Sequence, residues 1–191
     1  MGEPGANEDA LAEHLALARQ LEQLLPKADE IARSMIAAYR RGGRVFAFGN
    51  GGSAADAQHL AAELVGRYKR DRRSLPALAL TVDPSVVTAI GNDYSFEDLF
   101  ARQVEGLVRE GDVVVAFTTS GRSVNVLRGL ATARDAGATT VLFSGGDGAA
   151  EAEHTLVVPS STTARVQEMH LLLMHLLLDQ VDSWAAEEDG P

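Results

Sequence analysis

An α/β fold is predicted for this chain of 191 residues: a three-layer α/β/α sandwich around a five-stranded parallel sheet, with a helical hairpin before it and a long helix after it. Short apolar runs alternate with helical segments through the middle of the chain. The runs are continuous and do not alternate in polarity, which is typical of parallel strands buried on both faces. No internal repeat or linker divides the chain, so residues 1–191 are predicted to form a single domain.

The hairpin is predicted over residues 8–24 and 27–41, where apolar residues recur at helical spacing and Pro26 interrupts the run. The predicted strands are Val45–Phe48, Ala77–Thr81, Val113–Phe117, Thr139–Phe143 and Thr155–Val158, and the helices between them are 53–66, 85–91, 96–109 and 122–136. The last helix is predicted from about Thr163 to Trp184, after residues whose hydroxyls favour a helix start. The ends, 1–7 and 185–191, are rich in Gly, Pro and acidic residues and are predicted to be flexible.

Composition argues against several classes of function. The formal net charge is −10, which disfavours nucleic acid and anionic membranes as partners. The dense basic cluster, Arg67 to Arg73, is expected to be the solvated end of a helix. There is no cysteine, which fits a reducing compartment, and no secretory signal or membrane-spanning run is predicted. These features favour a cytoplasmic protein.

The segment Gly49–Ser53 follows an apolar strand and begins a helix that carries His59 and Glu63. A glycine-rich turn at a helix start offers free backbone N–H groups to an anion. Four residues apart at roughly 100° per residue, His59 and Glu63 share one helix face. An imidazole and a carboxylate in that arrangement can act as acid, base or metal ligands.

A second polar turn, Thr118–Ser123, follows the third strand and supplies four hydroxyls, a glycine and an arginine. Hydroxyls and helix-start N–H groups suit a phosphate monoester, although Ser and Thr are also common as ordinary helix caps. Neither turn has a nucleotide-binding fingerprint, so a sugar phosphate is the more natural ligand. Ligands of such sheets bind beyond the carboxyl ends of the strands, where both turns lie.

The last helix contains Gln167, His170 and His175 in a leucine-rich run. Gln167 and His175 are roughly 80° apart around the helix and can border one pocket, whereas His170 and His175 differ by roughly 140°. A single histidine among leucines is more often a core or interface residue than a ligand. A helix that is apolar on nearly all sides must be buried, in the core or at a subunit interface.

Taken together, the motifs resemble sugar isomerase (SIS) domains, and specifically the phosphoheptose isomerase family. The resemblance covers nearly the whole chain in one order. The segments that carry it are Phe48–Ser53, His59–Glu63 with Gly66–Tyr68, Gly91–Asp93, Thr119–Ser123 and Arg165–His170.

The resemblance implies a role for each matched position. Glu63 would be the catalytic base and His175 its acid/base partner, and His59, Glu63, Gln167 and His175 would bind one Zn²⁺. The substrate would be bound by Asn50, Gly51, Gly52, Ser53, Glu63, Asn92, Asp93, Thr118, Thr119, Ser120, Ser123 and Gln167. The implied reaction converts sedoheptulose 7-phosphate to an aldose through an enediol, in a homotetramer. Ala164 departs from the family, which often has an aspartate there, so one polar contact is absent or supplied elsewhere.

Three alternatives remain at this point. Relatives that bind the bacterial replication initiator share part of the pattern, but they lack counterparts of Glu63 and His175, and this chain has both. Other SIS enzymes act on different sugar phosphates, but the short chain has no second SIS domain or glutaminase domain. A purely structural α/β domain would leave the polar turns unexplained.

Overall fold

The computed structural model describes residues 5–146 and 152–190. All five strands are parallel and lie in the order β2-β1-β3-β4-β5, with helices on both faces. The strands are β1 (Val45–Gly49), β2 (Ala77–Ala79), β3 (Val113–Thr118), β4 (Thr139–Gly145) and β5 (His154–Val158). The predicted α/β/α sandwich and its five parallel strands are confirmed. The strand order reverses between β1 and β3, which makes their carboxyl ends the expected ligand site.

The helices are α1 (Ala6–Gln20), α2 (Leu25–Arg40), α3 (Gly52–Val65), α4 (Pro84–Asp93), α5 (Leu99–Leu107), α6 (Val124–Asp135) and α7 (Thr163–Asp189). Short 3-10 turns at Leu21–Leu24 and Phe96–Asp98 take up the ends of two predicted helices. Pro26 lies in the first turn of α2, where its missing N–H costs nothing.

The sheet is buried on both faces by two apolar clusters. Val115 and Phe117 of β3 point to the cluster that contains α2, α3 and α7. Val114 and Ala116 point to the opposite cluster, which contains α5 and α6. Successive strand residues point to opposite faces, so a strand between two helical layers is mostly apolar on both sides.

The two ends of the chain differ from the sequence-based prediction. α7 continues to Asp189, because Ala185 is fully buried and Arg73 and Arg40 form ion pairs with Asp189 and Glu188. α1 begins at Ala6, inside the segment that was expected to be flexible. The outermost residues of the predicted flexible ends, 1–4 and 191, lie outside the described residues.

In the part of the chain that the structure describes, no helix combines the length and apolar character needed to cross a membrane.

Candidate active site

A polar cavity of about 290 Å³ lies at the carboxyl ends of β1 and β3, where the strand order reverses. Eight of the residues predicted to bind substrate line it, together with Phe117 and Thr163: they are Asn50, Gly51, Gly52, Ser53, Thr118, Thr119, Ser123 and Gln167. The cavity therefore brings together the two polar turns and the first turns of α3, α6 and α7.

The first turn, Asn50–Ser53, needs glycine for two reasons. Gly51 has a φ of 56°, which disfavours any side chain with a Cβ. At Gly52, an added Cβ would overlap the side-chain amide of Gln167, so the absence of a side chain lets α7 approach the start of α3. The turn closes through the Ser53 N–H, which donates to the Asn50 carbonyl at 3.0 Å.

The second turn, Thr118–Ser123, presents hydroxyls at the start of α6. Thr118 Oγ1 and Ser123 Oγ are 3.1 Å apart and share a hydrogen bond. Ser123 is the N-cap of α6 but makes no side-chain capping bond. The Val126 N–H donates to Asn125 Oδ1, so the N–H groups of Val124 and Asn125 are the ones in this first turn that an anion can use.

Two carboxamides join these turns. Asn50 Nδ2 donates to Asn125 Oδ1 and Asn125 Nδ2 donates to Asn50 Oδ1, each at 2.8 Å. Asn125, in the first turn of α6, is only 3% exposed. Sequence reasoning missed it, because an asparagine in a helix carries no signal of a partner that is 75 residues away.

The predicted base and its partner meet on the facing sides of α3 and α7. Glu63 Oε1 lies 3.1 Å from His59 Nε2, which in turn lies 3.4 Å from His175 Nε2. We call Glu63, His59 and His175 the catalytic cluster. Its side chains are partly open to solvent in the single chain, where His59 is 37% and Glu63 is 23% exposed.

Aromatic contacts orient His175. The Tyr68 ring stacks on it with centroids 5.4 Å apart, and the His59 ring meets it edge-on at 5.0 Å. Burial lowers the pKa of His175 below the usual value of 6.5, and the neighbouring His59 lowers it further. His175 is therefore neutral near pH 7 and can both accept and donate a proton.

A buried ion pair holds the end of α3 against α7. The side chains of Arg72 and Asp182 are each 1% exposed, and Arg72 Nε donates to Asp182 Oδ1 at 3.1 Å. Arg72 also donates to the carbonyls of Glu63, Leu64 and Gly66. These are carbonyls that a helix end leaves without partners. The expectation that this basic cluster is solvated is wrong for Arg72, because Asp182 and the α3 carbonyls satisfy its guanidinium inside the protein.

Asp56 lies on α3 between the cavity and the catalytic cluster, and sequence reasoning did not single it out. Its Oδ2 is buried without a hydrogen-bond partner. Burial raises its pKa from 3.8 to about 6, against a smaller opposing effect of His59. A protonated carboxyl at this position can donate as well as accept a hydrogen bond.

The predicted zinc ligands are partly assembled. Among the described residues, no group of three or more His, Cys, Asp or Glu side chains is arranged to hold a metal ion as it stands. The donor chemistry nevertheless suits zinc, and the 3.4 Å between the two Nε2 atoms is close to the roughly 3.3 Å that separates two nitrogen ligands of tetrahedral zinc. Gln167 is apart from the other three, since it lies in the cavity and eight residues before His175, roughly 12 Å along α7.

Other predicted residues lie outside the cavity. Asn92 and Asp93 end α4, where they are exposed and Asn92 donates to Asp93 at 2.7 Å. Ser120 accepts the Arg122 N–H in the turn itself. Ala164 is exposed in the first turn of α7, and that turn contains no acidic residue. The roles predicted for Asn92, Asp93 and Ser120 stay predictions, as do those of the residues that line the cavity.

Comparisons with known proteins show which family the chain is similar to. A sequence profile of the SIS domain matches residues 11–145. The chain is 53% identical to the phosphoheptose isomerase of Aquifex aeolicus over 161 residues, which cover 83% of this chain and 84% of that protein. It is 57% identical to the phosphoheptose isomerase of Paramagnetospirillum magneticum over 148 residues, with coverage of 76% and 77%.

Solved structures are also similar. The phosphoheptose isomerase from Neisseria gonorrhoeae matches with a TM-score of 0.86 and 39% identity, covering 92% of this chain and 96% of that one. The enzyme from Francisella tularensis matches with a TM-score of 0.84 and 33% identity, covering 93% and 99%. By sequence and by fold, the chain belongs to the phosphoheptose isomerase family of SIS-domain proteins.

Proposed function

We propose that this protein is a phosphoheptose isomerase that converts sedoheptulose 7-phosphate to D-glycero-D-manno-heptose 7-phosphate, the first step of activated heptose synthesis. The observation that carries the proposal is the catalytic cluster, because Glu63 and His175 meet through His59 on the same two helices that begin at the cavity. The family relationship supports the choice of substrate.

The chemistry needs two kinds of proton transfer. The Glu63 carboxylate takes the proton from C1 of the ketose and returns it to C2, which passes the sugar through an enediol. His175 moves protons between the sugar oxygens, and its lowered pKa keeps it neutral for this task. Meanwhile the hydroxyls of the Thr118–Ser123 turn and the α6 N-terminus hold the phosphate.

The distance between the cavity and the catalytic cluster supports a long substrate. His59 follows Gly52 by seven residues on α3, and His175 follows Gln167 by eight on α7. These intervals correspond to roughly 10 to 12 Å along the helices. An extended chain advances about 1.3 Å per bond, so C1 and the phosphorus of a heptulose 7-phosphate are roughly 10 Å apart.

We also propose that each subunit binds one Zn²⁺ through His59, Glu63, Gln167 and His175. The separation of the two imidazole nitrogens and the mixed N/O donor set support this site. When bound, zinc would polarise the sugar carbonyl. Because Gln167 lies two turns from His175, assembly of all four donors needs a side-chain movement or a neighbouring subunit.

A cytoplasmic homotetramer completes the proposal. Exposed leucines on the outer sides of α1 and α7 support association, and the absence of cysteine fits a reducing compartment.

The experiment measures aldose formation from sedoheptulose 7-phosphate by the purified protein, before and after chelation and after zinc is restored. We expect activity that falls on chelation and returns with zinc. Activity that is indifferent to chelation would remove zinc from the mechanism but keep the enzyme. No turnover by folded, zinc-replete protein would refute the isomerase.

Glu63→Gln tests the proposed base, because it keeps the shape of the side chain but cannot accept the C1 proton. We expect turnover to fall by at least about 10²-fold while the circular dichroism spectrum stays that of the wild type. Glu153→Gln, a change of the same chemistry at an exposed position next to β5, is the control and should retain full activity. Undiminished turnover by Glu63→Gln would show that another group is the base.

A further inference from the structure

The two turns that line the cavity are joined by one side-chain pair. Asn50 follows β1 and Asn125 lies in the first turn of α6, and each carboxamide donates to the other at 2.8 Å. The two hydrogen bonds close a ring that uses the side-chain oxygen and one side-chain N–H of each asparagine. In residues 5–146 and 152–190, Asn50 makes no other side-chain hydrogen bond, so its second N–H faces no protein partner.

The orientation of this pair is determined by the backbone. The Val126 N–H donates to Asn125 Oδ1 at 2.9 Å, and a backbone N–H can only donate. The oxygen of Asn125 is thereby assigned, and the reciprocal bonds then assign the amide of Asn50. Since Asn125 is 3% exposed, water does not compete for these bonds.

The Thr118–Ser123 turn has its own internal bond, between Thr118 Oγ1 and Ser123 Oγ, and does not need Asn125 to keep its shape. The Asn50–Ser53 turn is different, since it contains two glycines and, among the described residues, only Asn50 bonds through its side chain to α6. The ladder between β1 and β3 pairs Gly49 with Phe117 and so fixes where the two turns begin. The amide pair then determines where Asn50 lies relative to α6.

We propose that Asn125 is a positioning residue that holds Asn50, and with it the Asn50–Ser53 turn, at the distance from the phosphate-binding turn that a sugar phosphate requires. The inference rests on the proposed function, in which the Thr118–Ser123 turn binds the phosphate, and on the substrate-binding role that the family resemblance implies for Asn50–Ser53, which we assign to the sugar. A sugar phosphate must contact both turns at once, whereas inorganic phosphate needs only one. Asn125 thus acts on the affinity for the whole substrate and leaves the phosphate site intact.

The experiment measures ligand affinity by calorimetry for two proteins, the Glu63→Gln variant and the Glu63→Gln/Asn125→Ala double variant. The Glu63→Gln change prevents turnover during the measurement. Loss of the two hydrogen bonds between Asn125 and Asn50 is expected to raise the Kd of sedoheptulose 7-phosphate about ten- to hundredfold. The Kd of inorganic phosphate should change by less than about twofold, because its ligands are untouched. Two unchanged Kd values, or an equal loss for both ligands, would overturn the proposal.

Two further variants separate positioning from general loosening of α6. If Asn125 acts through Asn50, Asn125→Ala should add nothing to the effect of Asn50→Ala on sugar phosphate binding. Val126→Ala, the matched control, removes a buried side chain from the same turn but keeps the amide pair, and it should leave both Kd values unchanged. Additive effects, or a Val126→Ala variant that reproduces the loss, would contradict a positioning role.

The outcome is independent of the isomerase assay. If wild-type protein binds the sugar phosphate but does not isomerise it, the proposed function fails, and the comparison of the two Kd values still decides the role of Asn125.

Discussion

His170 is the one fully buried residue among the five histidines of the chain. Its Nε2–H donates to the Ser144 carbonyl at 3.1 Å, and its ring lies against Phe117 and Phe143. The Nδ1 atom is buried without a hydrogen-bond partner. Burial lowers the pKa of His170 from 6.5 to about 4, so the side chain is a neutral part of the core and has no place in the catalytic cluster.

This environment predicts a loss of stability in acid. Because the folded-state pKa is below the unfolded value, the stabilisation is complete above pH 6.5 and is lost as the pH falls from 6.5 towards 4. The total is about 3 kcal/mol of unfolding free energy. His170→Gln can keep the bond to Ser144 but does not titrate, so its free energy of unfolding, measured in urea at pH 7 and pH 4.5, should fall less than that of the wild type. Equal losses in the two proteins would show that His170 does not carry this acid sensitivity.

At the scale of elements, the end of α3 and the middle of α7 must keep a fixed relation, because they carry Glu63 and His175. The Arg72–Asp182 pair supplies it: Arg72 binds the carbonyls at the end of α3, and Asp182 accepts the backbone N–H groups of Lys69 and Arg70. Burial raises the pKa of Asp182, but the hydrogen bonds from those N–H groups outweigh it and hold the pKa below its usual value. The same segment places Tyr68 on His175.

Asp182→Asn should therefore destabilise the protein strongly. The change leaves the Arg72 guanidinium buried without a counter-charge, which typically costs about 3 to 5 kcal/mol of unfolding free energy. Asp179→Asn is the matched control one turn earlier on α7, where the carboxylate pairs with Arg70 but is 42% exposed. It should cost less than about 1 kcal/mol. Urea denaturation that ranks the two variants equally would contradict the structural role of the buried pair.

At the scale of the molecule, most of the leucines of α7 are explained within one chain. Leu173, Leu177 and Leu178 are at most 2% exposed, and Leu171 is partly buried; all four pack in the cluster that contains α2, α3 and one face of the sheet. Leu172 and Leu176 are different, since they are 36% and 39% exposed and lie one turn apart on the outer side of α7. Leu11 and Leu15 form a similar exposed pair on α1, which packs against α7. Paired exposed leucines are typical of a surface that is covered in an oligomer.

The double variant Leu172→Gln/Leu176→Gln tests that surface. Glutamine keeps the helix propensity but makes association less favourable, so the molar mass measured by light scattering should fall below that of the wild-type assembly. Leu107→Gln is the control, because Leu107 is 40% exposed on α5, on the opposite side of the sheet. It should leave the mass unchanged. An unaltered mass for the double variant would place the interface elsewhere.

Local patterns in the sequence determine much of this protein. Continuous apolar runs predict strands buried on both faces, and each predicted strand occurs in the sheet. The glycine and hydroxyl turns predict an anion site, and both line one cavity. Helical spacing alone places His59 and Glu63 together, because neighbours at four residues share a face.

Only the tertiary structure decided contacts between residues far apart in the chain. The amide pair of Asn50 and Asn125, the ion pair of Arg72 and Asp182, and the contact of His59 with His175 join residues 75 to 116 positions apart. The type of a residue does not predict which distant residue it will contact. The same holds for the burial of Arg72 and for the extension of α7 to Asp189, because each depends on charges that the fold brings from another element. Sequence determines which groups are present and on which face of an element they lie, and packing decides which of them meet.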